Sequence, residues 1–248
     1  MQIHGFNKTT LLDYPERVAA TIFTGGCNFR CPFCHNAGLV LTPGKQALIS
    51  EEEVLAHLKK RKGMLSGVCV TGGEPTLQPD LAEFLGRIKE LGYLIKLDTN
   101  GYRPEALRQL LEKDLLNYVA MDIKASKENY ARAAGIPEMD VTRIQESITL
   151  LQESGLPYEF RTTVVKGIHT IEEFEEIGQW LGGSRAYYLQ SYRENENVLA
   201  TWKDVKVGVV DRVESMGNAM TSFSKQEMEQ MAVLAGKYIE RVALRGIE

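Results

Sequence analysis

The sequence predicts an α/β fold in which a parallel sheet curves into an open, partial (β/α)6 barrel with a C-terminal helical extension. Two patterns predict it: apolar, β-branched segments alternate with amphipathic ones, and unusual polar residues lie where the apolar segments end. Six strand–helix units imply right-handed crossovers, and six is fewer than the eight of a closed barrel. The predicted strands are Val18–Phe23, Gly67–Thr71, Leu94–Asp98, Tyr118–Ile123, Tyr158–Val165 and Ala186–Gln190.

Helices are predicted between these strands from capping residues followed by apolar residues at helical spacing. After about Tyr192 the pattern is less regular, and it ends in one more amphipathic helix. The predicted helix starts, in chain order, are marked by Ser50 with Glu53, Pro79, Pro104, Asp140, Thr170 with Glu173, and Ser224 with Glu227.

Length and composition fit one globular domain over 1–248, with a core of about 16–192 and an extension of about 193–248. The chain has 248 residues, 44% of them hydrophobic and 25% charged, and a formal net charge of −4. That charge argues against non-specific nucleic-acid binding. No basic leader and no membrane-length apolar run is seen, so a cytoplasmic protein is predicted.

Polar residues follow each predicted strand, where the active site of a parallel α/β barrel forms. Because the carboxyl ends of the strands lie at one rim, these groups are expected to converge. In strand order they are the cysteine loop Cys27–Cys34, the segment Thr71–Pro75, the segment Asp98–Gly101, Asp122 with Lys124, Arg161 within the fifth strand, and Gln190 to Tyr192.

Three of the four cysteines, Cys27, Cys31 and Cys34, fall within eight residues, and the spacing C-x3-C-x2-C lacks a fourth cysteine nearby. Four-iron clusters are normally held by four thiolates, so three leave one iron with an open position. Open positions on bound metals are where substrate chemistry occurs. The fourth cysteine, Cys69, lies within a predicted strand and is expected to be an ordinary packing residue.

Zinc is the alternative metal for this loop. It would take the three cysteines with His35 as the fourth ligand, giving a closed structural site and a non-catalytic module. Cys34 and His35 are adjacent, however, so binding one tetrahedral ion through both would strain the loop. The cluster interpretation needs no fourth protein ligand.

The cysteine spacing, with Phe33 before the last cysteine, resembles the cluster motif of radical S-adenosylmethionine (SAM) enzymes, and Gly72-Gly73-Glu74-Pro75 resembles their second motif. The resemblance covers nearly the whole chain. Within that superfamily the sequence is similar to activating enzymes of glycyl radical enzymes, closest to the anaerobic ribonucleoside-triphosphate reductase activating proteins. The segments that carry this finer resemblance are Cys34-His35-Asn36, Leu97–Gly101, Met121–Lys124, Thr10–Pro15 and Tyr188–Gln190.

The resemblance implies one [4Fe-4S] cluster per chain, SAM bound at the open iron, and reductive cleavage of SAM to a radical that abstracts hydrogen from a glycine Cα. It also implies site residues. Cys27, Cys31 and Cys34 would hold the cluster, and Asp13 would meet the substrate glycine loop. SAM would contact Phe33, Asn36, Gly72, Gly73, Glu74, Lys124 and Arg161. Tyr192 lies where some relatives carry a histidine near SAM, and Asp98, Thr99 and Asp122 would hold a monovalent cation beside it.

The implied partners are a glycyl radical enzyme as protein substrate (an anaerobic ribonucleotide reductase or a pyruvate formate-lyase-like enzyme) and flavodoxin or ferredoxin as electron donor. No nucleic-acid or membrane partner is expected. Some activases carry a ferredoxin-like insert with further cysteines, but 39–66 contains none here. The alternative within the superfamily is radical chemistry on a small molecule, such as ring contraction in deazaguanine synthesis.

Overall fold

The computed structural model describes residues 1–195, 197–201 and 220–247. The strands of this part of the chain form one sheet whose order follows the sequence, β1 to β8. β1 pairs with β2 in antiparallel orientation, and every later pair is parallel. β1 and β8 do not pair with each other, so the described sheet is open. The strands are β1 Ile3–Thr10, β2 Ala19–Thr24, β3 Gly67–Gly72, β4 Leu94–Thr99, β5 Tyr118–Asp122, β6 Tyr158–Val164, β7 Tyr187–Ser191 and β8 Val242–Arg245.

Helices connect successive strands from β2 onward and pack against the sheet through the hydrophobic core. Ser50 accepts a hydrogen bond from the Glu53 amide, and Ser224 with Glu227 forms a complete capping box, as predicted. The α-helices are α1 Ala37–Leu41, α2 Glu51–Lys60, α3 Leu81–Glu90, α4 Pro104–Glu112, α5 Tyr130–Ala134, α6 Thr142–Glu153, α7 Glu173–Trp180 and α8 Lys225–Ala235. No helix among the described residues is long and apolar enough to cross a bilayer.

The prediction of a partial α/β barrel is confirmed, with all six predicted strands present. Two further strands, β1 and β8, were missed. β1 is an edge strand with mixed exposure and β8 has only four residues, so neither shows a clear apolar period. The sheet runs from Ile3 to Arg245, so its two outer strands, β1 and β8, lie on either side of the predicted core of 16–192.

The two faces of the sheet differ in chemistry. On β4, Ile95 and Leu97 belong to the hydrophobic core between sheet and helices, whereas Lys96 and Asp98 alternate with them and form an ion pair on the opposite face. β4 therefore presents apolar side chains to the helices and charged side chains to the opposite face. Cys69 is fully buried within β3, as expected for a packing residue, and its Sγ lies 3.8 Å from Lys96 Nζ.

Candidate active site

An open cavity with about 790 Å³ of empty space lies at the carboxyl ends of the strands. All but two of the predicted site residues line it, and the exceptions are Asp13 and Tyr192. Its walls are Cys27, Phe29, Cys31, Phe33, Cys34, His35, Asn36, Val40, Thr71, Gly72, Gly73, Glu74, Asp98, Thr99, Asn100, Asp122, Lys124, Arg161 and Thr163. Five of the six predicted strand-end groups therefore converge, whereas the sixth, Gln190 to Tyr192, lies outside this cavity.

The cysteine loop follows β2 and is held through its backbone by distant parts of the chain. The Arg30 amide donates to the carbonyl of Ala134 at 2.8 Å. Further along the loop, the carbonyl of Pro32 accepts from the Ala200 amide at 3.0 Å, and the carbonyl of Cys34 accepts from the Leu199 amide at 2.9 Å. The segment after β7 thus fixes the loop that carries the thiols.

The three thiols share this cavity in a buried setting. Burial raises the pKa of Cys27 and Cys31 to about 12 and also raises the pKa of Cys34, while the nearby Lys124 ammonium opposes the rise in each. The Phe29 amide donates to Cys27 Sγ at 3.3 Å. Metal loading must therefore displace protons from buried thiols, which makes it pH-dependent.

The geometry is unfavourable for zinc. His35 Nε2 lies 2.6 Å from the carbonyl of Arg193, so the proposed fourth ligand already has another contact. Among residues 1–195, 197–201 and 220–247, no three His, Cys, Asp or Glu side chains are arranged to hold a single metal ion. In a four-iron cluster each thiolate binds a different iron, so three cysteines need not converge on one point.

Gly72 and Gly73, at the end of β3, are required because the backbone of 24–26 passes too close to leave room for side chains there. A Cβ on Gly73 would lie 1.9 Å from the carbonyl oxygen of Gly26, and Gly72 has a φ of +116°. The amides of Gly73 and Glu74 donate to the carbonyls of Thr24 and Gly26, both at 2.8 Å. The glycines therefore join the ends of β2 and β3, a role that the sequence-based assignment to SAM did not anticipate.

Glu74 is almost fully buried, and its carboxylate links two strand ends. Oε1 accepts from the Thr76 amide and hydroxyl and from Thr99 Oγ1, while Oε2 accepts from the Asn100 amide at 2.7 Å. A carboxylate has about four acceptor positions, so only Oε2 retains capacity for an ammonium group. Thr99, predicted to be a cation ligand, is used here as a donor to Glu74.

A row of five charged side chains crosses the inner face of the sheet. Asp98 pairs with Lys96 and with Arg161 Nη1 (3.2 Å), and Asp122 pairs with Arg161 and with Lys124 (3.0 Å each). Three cations and two carboxylates leave the row with one excess positive charge. Both carboxylates that were predicted to hold a monovalent cation already have basic partners, so this cation stays a prediction without geometric support.

The charges in this row alter the ionisation of its members. Burial alone would raise the pKa of Asp122, but Arg161 and Lys124 outweigh it and lower the pKa to about 2. Burial likewise lowers the pKa of Lys124, and Asp122 more than reverses the effect, so the pKa of Lys124 is raised. The cavity is therefore lined by a carboxylate that stays ionised and an ammonium group that keeps its proton.

Asn36 and Phe33, both predicted to contact SAM, also make contacts within the protein. Asn36 Nδ2 donates to the carbonyl of Gly72 at 3.0 Å, which joins α1 to the end of β3. Phe33 is buried, and its ring centroid lies 6.2 Å from that of His169.

Asp13 and Tyr192 lie outside the cavity. Asp13 belongs to the loop between β1 and β2, and its Oδ2 accepts from Thr21 near the start of β2. Tyr192 is buried against His35, with ring centroids 5.7 Å apart, and lines a separate groove with Ser222 and Phe223. The structure thus gives no cavity contact to the predicted substrate residue or to Tyr192.

Two residues of the site region, Asn100 and His169, have contacts to which the sequence assigned no role. Asn100 Nδ2 donates to Asn28 Oδ1 at 2.8 Å and lies 3.8 Å from Cys27 Sγ. Asn100 belongs to the predicted strand-end segment Asp98–Gly101, but no role was assigned to it. His169 is buried and bonded through both ring nitrogens. No spacing in the sequence signals that contact.

Comparison with known proteins identifies the family. The model of the radical SAM superfamily matches residues 21–181, which contain the cysteine loop and most of the cavity wall. The chain belongs to the radical SAM superfamily. A Methanocaldococcus jannaschii protein, provisionally named a glycyl-radical enzyme activating enzyme, is 27% identical over 249 residues, covering 99% of this chain and 96% of its own length. A Saccharolobus solfataricus protein provisionally named a GTP 3′,8-cyclase is 32% identical over 172 residues, covering 67% of this chain and 54% of that protein.

Solved radical SAM structures share the fold. Streptococcus suis SuiB bound to its precursor peptide SuiA superposes with a TM-score of 0.64 at 15% identity, and SuiB bound to SAM with a TM-score of 0.59 at 16% identity. The matches cover 91% and 89% of this chain, which spans about half the length of SuiB, 48% in both cases. At this identity the likeness concerns the fold.

The donor set of the cavity fits the two cofactors that the superfamily implies, a [4Fe-4S] cluster and SAM. Three thiols come from one loop, and beside them lie a carboxylate oxygen with free acceptor capacity and the basic groups of Lys124 and Arg161. These groups suit the ammonium and the carboxylate of an amino acid.

Proposed function

We propose that this protein is a radical SAM activase that generates a glycyl radical on a partner protein, with one [4Fe-4S] cluster per chain. The observation that carries the proposal is the near full-length correspondence, 99% of this chain and 96% of the relative, with a provisionally named glycyl-radical enzyme activating enzyme. An anaerobic ribonucleotide reductase or a pyruvate formate-lyase-like enzyme is the proposed substrate, and flavodoxin or ferredoxin the proposed electron donor.

The chain's own residues would bind and orient the cofactors. Cys27, Cys31 and Cys34 would hold the cluster, which when bound supplies the electron that cleaves SAM. Glu74 Oε2 has acceptor capacity for the SAM ammonium, and the excess positive charge of the inner row suits its carboxylate. Burial of these groups excludes water from a reactive radical.

The open edge of the sheet supports a macromolecular substrate. A glycine within a folded partner must reach the cavity, and opening its loop costs free energy that association has to offset. Asp13 remains the proposed contact for the glycine loop of the partner. It lies in the loop between β1 and β2, at the end of the sheet opposite the cavity, and its carboxylate accepts a hydrogen bond from Thr21. We expect Asp13→Ala to weaken glycyl radical formation while sparing SAM cleavage without partner.

A small-molecule substrate is the second candidate. It is favoured by the 32% identity to the provisionally named GTP 3′,8-cyclase. That match covers 54% of the relative, whereas the activase-named relative is covered almost completely.

Electron paramagnetic resonance (EPR) tests the proposal. The protein is reconstituted anaerobically, and EPR spectra are recorded with SAM, a reductant and a candidate glycyl radical enzyme from the same cell. We expect about four irons per chain, SAM cleavage and a glycyl doublet on the partner. SAM cleavage with no doublet on any candidate partner would favour the small-molecule alternative.

Cysteine variants provide the matched control. Cys31→Ala should lose both the cluster iron and SAM cleavage, because it removes one of three ligands. Cys69→Ala should keep both, since Cys69 lies outside the cavity beside Lys96. A colourless wild-type protein that binds one zinc and no SAM would contradict the assignment altogether.

A further inference from the structure

Three consecutive backbone carbonyls at the end of β5 each accept a hydrogen bond from a buried side chain. The bonds run from Tyr130 Oη to Asp122 O (3.3 Å), from Thr162 Oγ1 to Ile123 O (2.7 Å) and from His169 Nε2 to Lys124 O (2.8 Å). Carbonyls at a strand exit are commonly satisfied by backbone or water, so three side-chain donors in succession hold this backbone in one place.

The two ring nitrogens of His169 bind opposite kinds of group, which fixes the tautomer. Nε2 lies 2.8 Å from the Lys124 carbonyl, which can only accept, so the proton of a neutral ring is on Nε2; Nδ1 then accepts from the Val165 amide at 3.0 Å, and the Val165 carbonyl lies farther from it, at 3.3 Å. Burial lowers the pKa of this imidazole, in agreement with a neutral ring. His169 therefore joins the end of β6 to the exit of β5.

The same ring also contacts the cysteine loop. Its centroid lies 6.2 Å from that of Phe33, the residue before Cys34, and 5.9 Å from that of Phe174 in α7. One buried side chain thus meets the cysteine loop, a helix and the backbone that carries Lys124.

Lys124 is the side chain that this contact controls most directly. Its Nζ lies 3.0 Å from Asp122 Oδ2, and it lines the same cavity as the three thiols. A lysine side chain is long and flexible, so an ammonium group held at one place needs a fixed backbone as well as a fixed partner.

We propose that His169 is a positioning residue whose hydrogen bond to the Lys124 carbonyl keeps the Lys124 ammonium group beside the cluster and the SAM carboxylate. Reduction adds a negative charge to the cluster, and a nearby cation stabilises that charge, so correct placement of Lys124 raises the reduction potential. This proposal needs only the chemistry of the radical SAM superfamily and is independent of the activase proposal.

The test compares His169→Phe with the wild-type protein after anaerobic reconstitution. Phenylalanine keeps a ring against Phe33 and Phe174 but removes both hydrogen bonds. We expect the cluster to load, its midpoint potential to become more negative and the Kd for SAM to rise roughly 5- to 10-fold, the scale of one or two hydrogen bonds. Redox titration monitored by EPR and equilibrium SAM binding measure these changes.

A double-mutant cycle identifies the route of the effect. If His169 acts through Lys124, the variant carrying both His169→Phe and Lys124→Met should bind SAM as weakly as Lys124→Met alone. His57→Phe is the matched histidine control, because His57 contacts Phe6 and the Lys8 carbonyl outside the cavity. It should leave potential and affinity unchanged.

A variant that fails to load is replaced by His169→Gln, whose amide offers one acceptor and one donor. Its potential and SAM affinity should lie between those of wild type and Lys124→Met. Three outcomes would overturn the proposal. The first is a loaded His169 variant with wild-type potential and SAM affinity, and the second is additive effects in the double variant. The third is loss of cluster loading in both His169→Phe and His169→Gln. A fall in thermal stability alone would not support it.

Discussion

At the scale of single residues, Gly73 shows how closely two strand ends can approach. The carbonyl oxygen of Gly26 occupies the space in which a side chain at position 73 would begin. The same carbonyl accepts from the Glu74 amide, and the Gly73 amide donates to the Thr24 carbonyl, so backbone contacts alone close the junction of β2 and β3. This junction places the cysteine loop next to the Glu74 carboxylate.

Gly73→Ala should therefore destabilise the protein by roughly 3 kcal/mol, the upper end of the usual cost of overpacking. Gly86→Ala is the matched control, because Gly86 lies within α3 and a Cβ there meets no atom within 4 Å. It should stabilise by about 0.5–1 kcal/mol. Urea unfolding of the two variants measures both effects, and the same sign for both would contradict this account.

A site residue could be predicted from the sequence when its role shows in the spacing of neighbouring residues, and not when the role depends on contacts with distant segments. Cys27, Cys31 and Cys34 lie on one loop, so their spacing alone predicts a cluster site. Glu74 was identified, but its four donors come from three residues and two strand ends, which spacing does not reveal. His169 was missed because its function depends on bonds to two backbone groups.

At the scale of elements, β8 is attached to the sheet by an ion pair as well as by its backbone. Arg245 donates two hydrogen bonds to the carboxylate of Glu159 on β6, at 2.8 and 2.9 Å, and its guanidinium lies 3.4 Å from the ring centroid of Tyr188. Glu159 is 1% exposed, and it also accepts from Tyr118 Oη at 2.9 Å. A strand that the sequence did not reveal thus neutralises a buried carboxylate.

Arg245→Met should cost about 3 kcal/mol of stability, since it keeps much of the aliphatic packing but leaves Glu159 as an uncompensated buried charge. Combining it with Glu159→Gln should recover part of the loss. Chemical unfolding of both single variants and the double variant provides the measurement. Equal stability of Arg245→Met and wild type would show that the pair contributes little.

At the scale of the molecule, the inner face carries a charged row, whereas the opposite face of the sheet packs against apolar helix residues. The charged row spans β4, β5 and β6 and the exit of β5, so charges on separate elements depend on one another. The alternation of β4 between core and cavity residues could be read from the sequence after the fact. The ion pairs could not, because they depend on strand register.

The stability contributed by Asp122 should depend on pH. Its pKa is about 2 in the folded protein against 3.8 for the free side chain, so its contribution is present above about pH 4 and is lost as the pH falls toward 2. Asp122→Asn removes the carboxylate, so the stability advantage of wild type should be largest at pH 6 and smaller at pH 3. Urea unfolding of the metal-free proteins at both pH values measures it, and a constant difference would contradict the ion-pair account.

The fold class was predictable because each strand–helix unit carries its own local periodicity. Strand order equals chain order, so neighbouring units are also neighbours in sequence. β1 and β8 were not predictable in the same way, since their stability comes from pairing with β2 and β7.

The backbone contacts of the cysteine loop have a consequence for how the enzyme is made. The loop leaves the ribosome well before its hydrogen-bond partners at Ala134, Leu199 and Ala200, which follow it by about 100 residues or more in the chain. Until they arrive, three reactive thiols belong to an untethered segment. Iron delivery by the assembly machinery should therefore be productive only after residue 200 has been synthesised, and polypeptides truncated before Leu199 should remain metal-free.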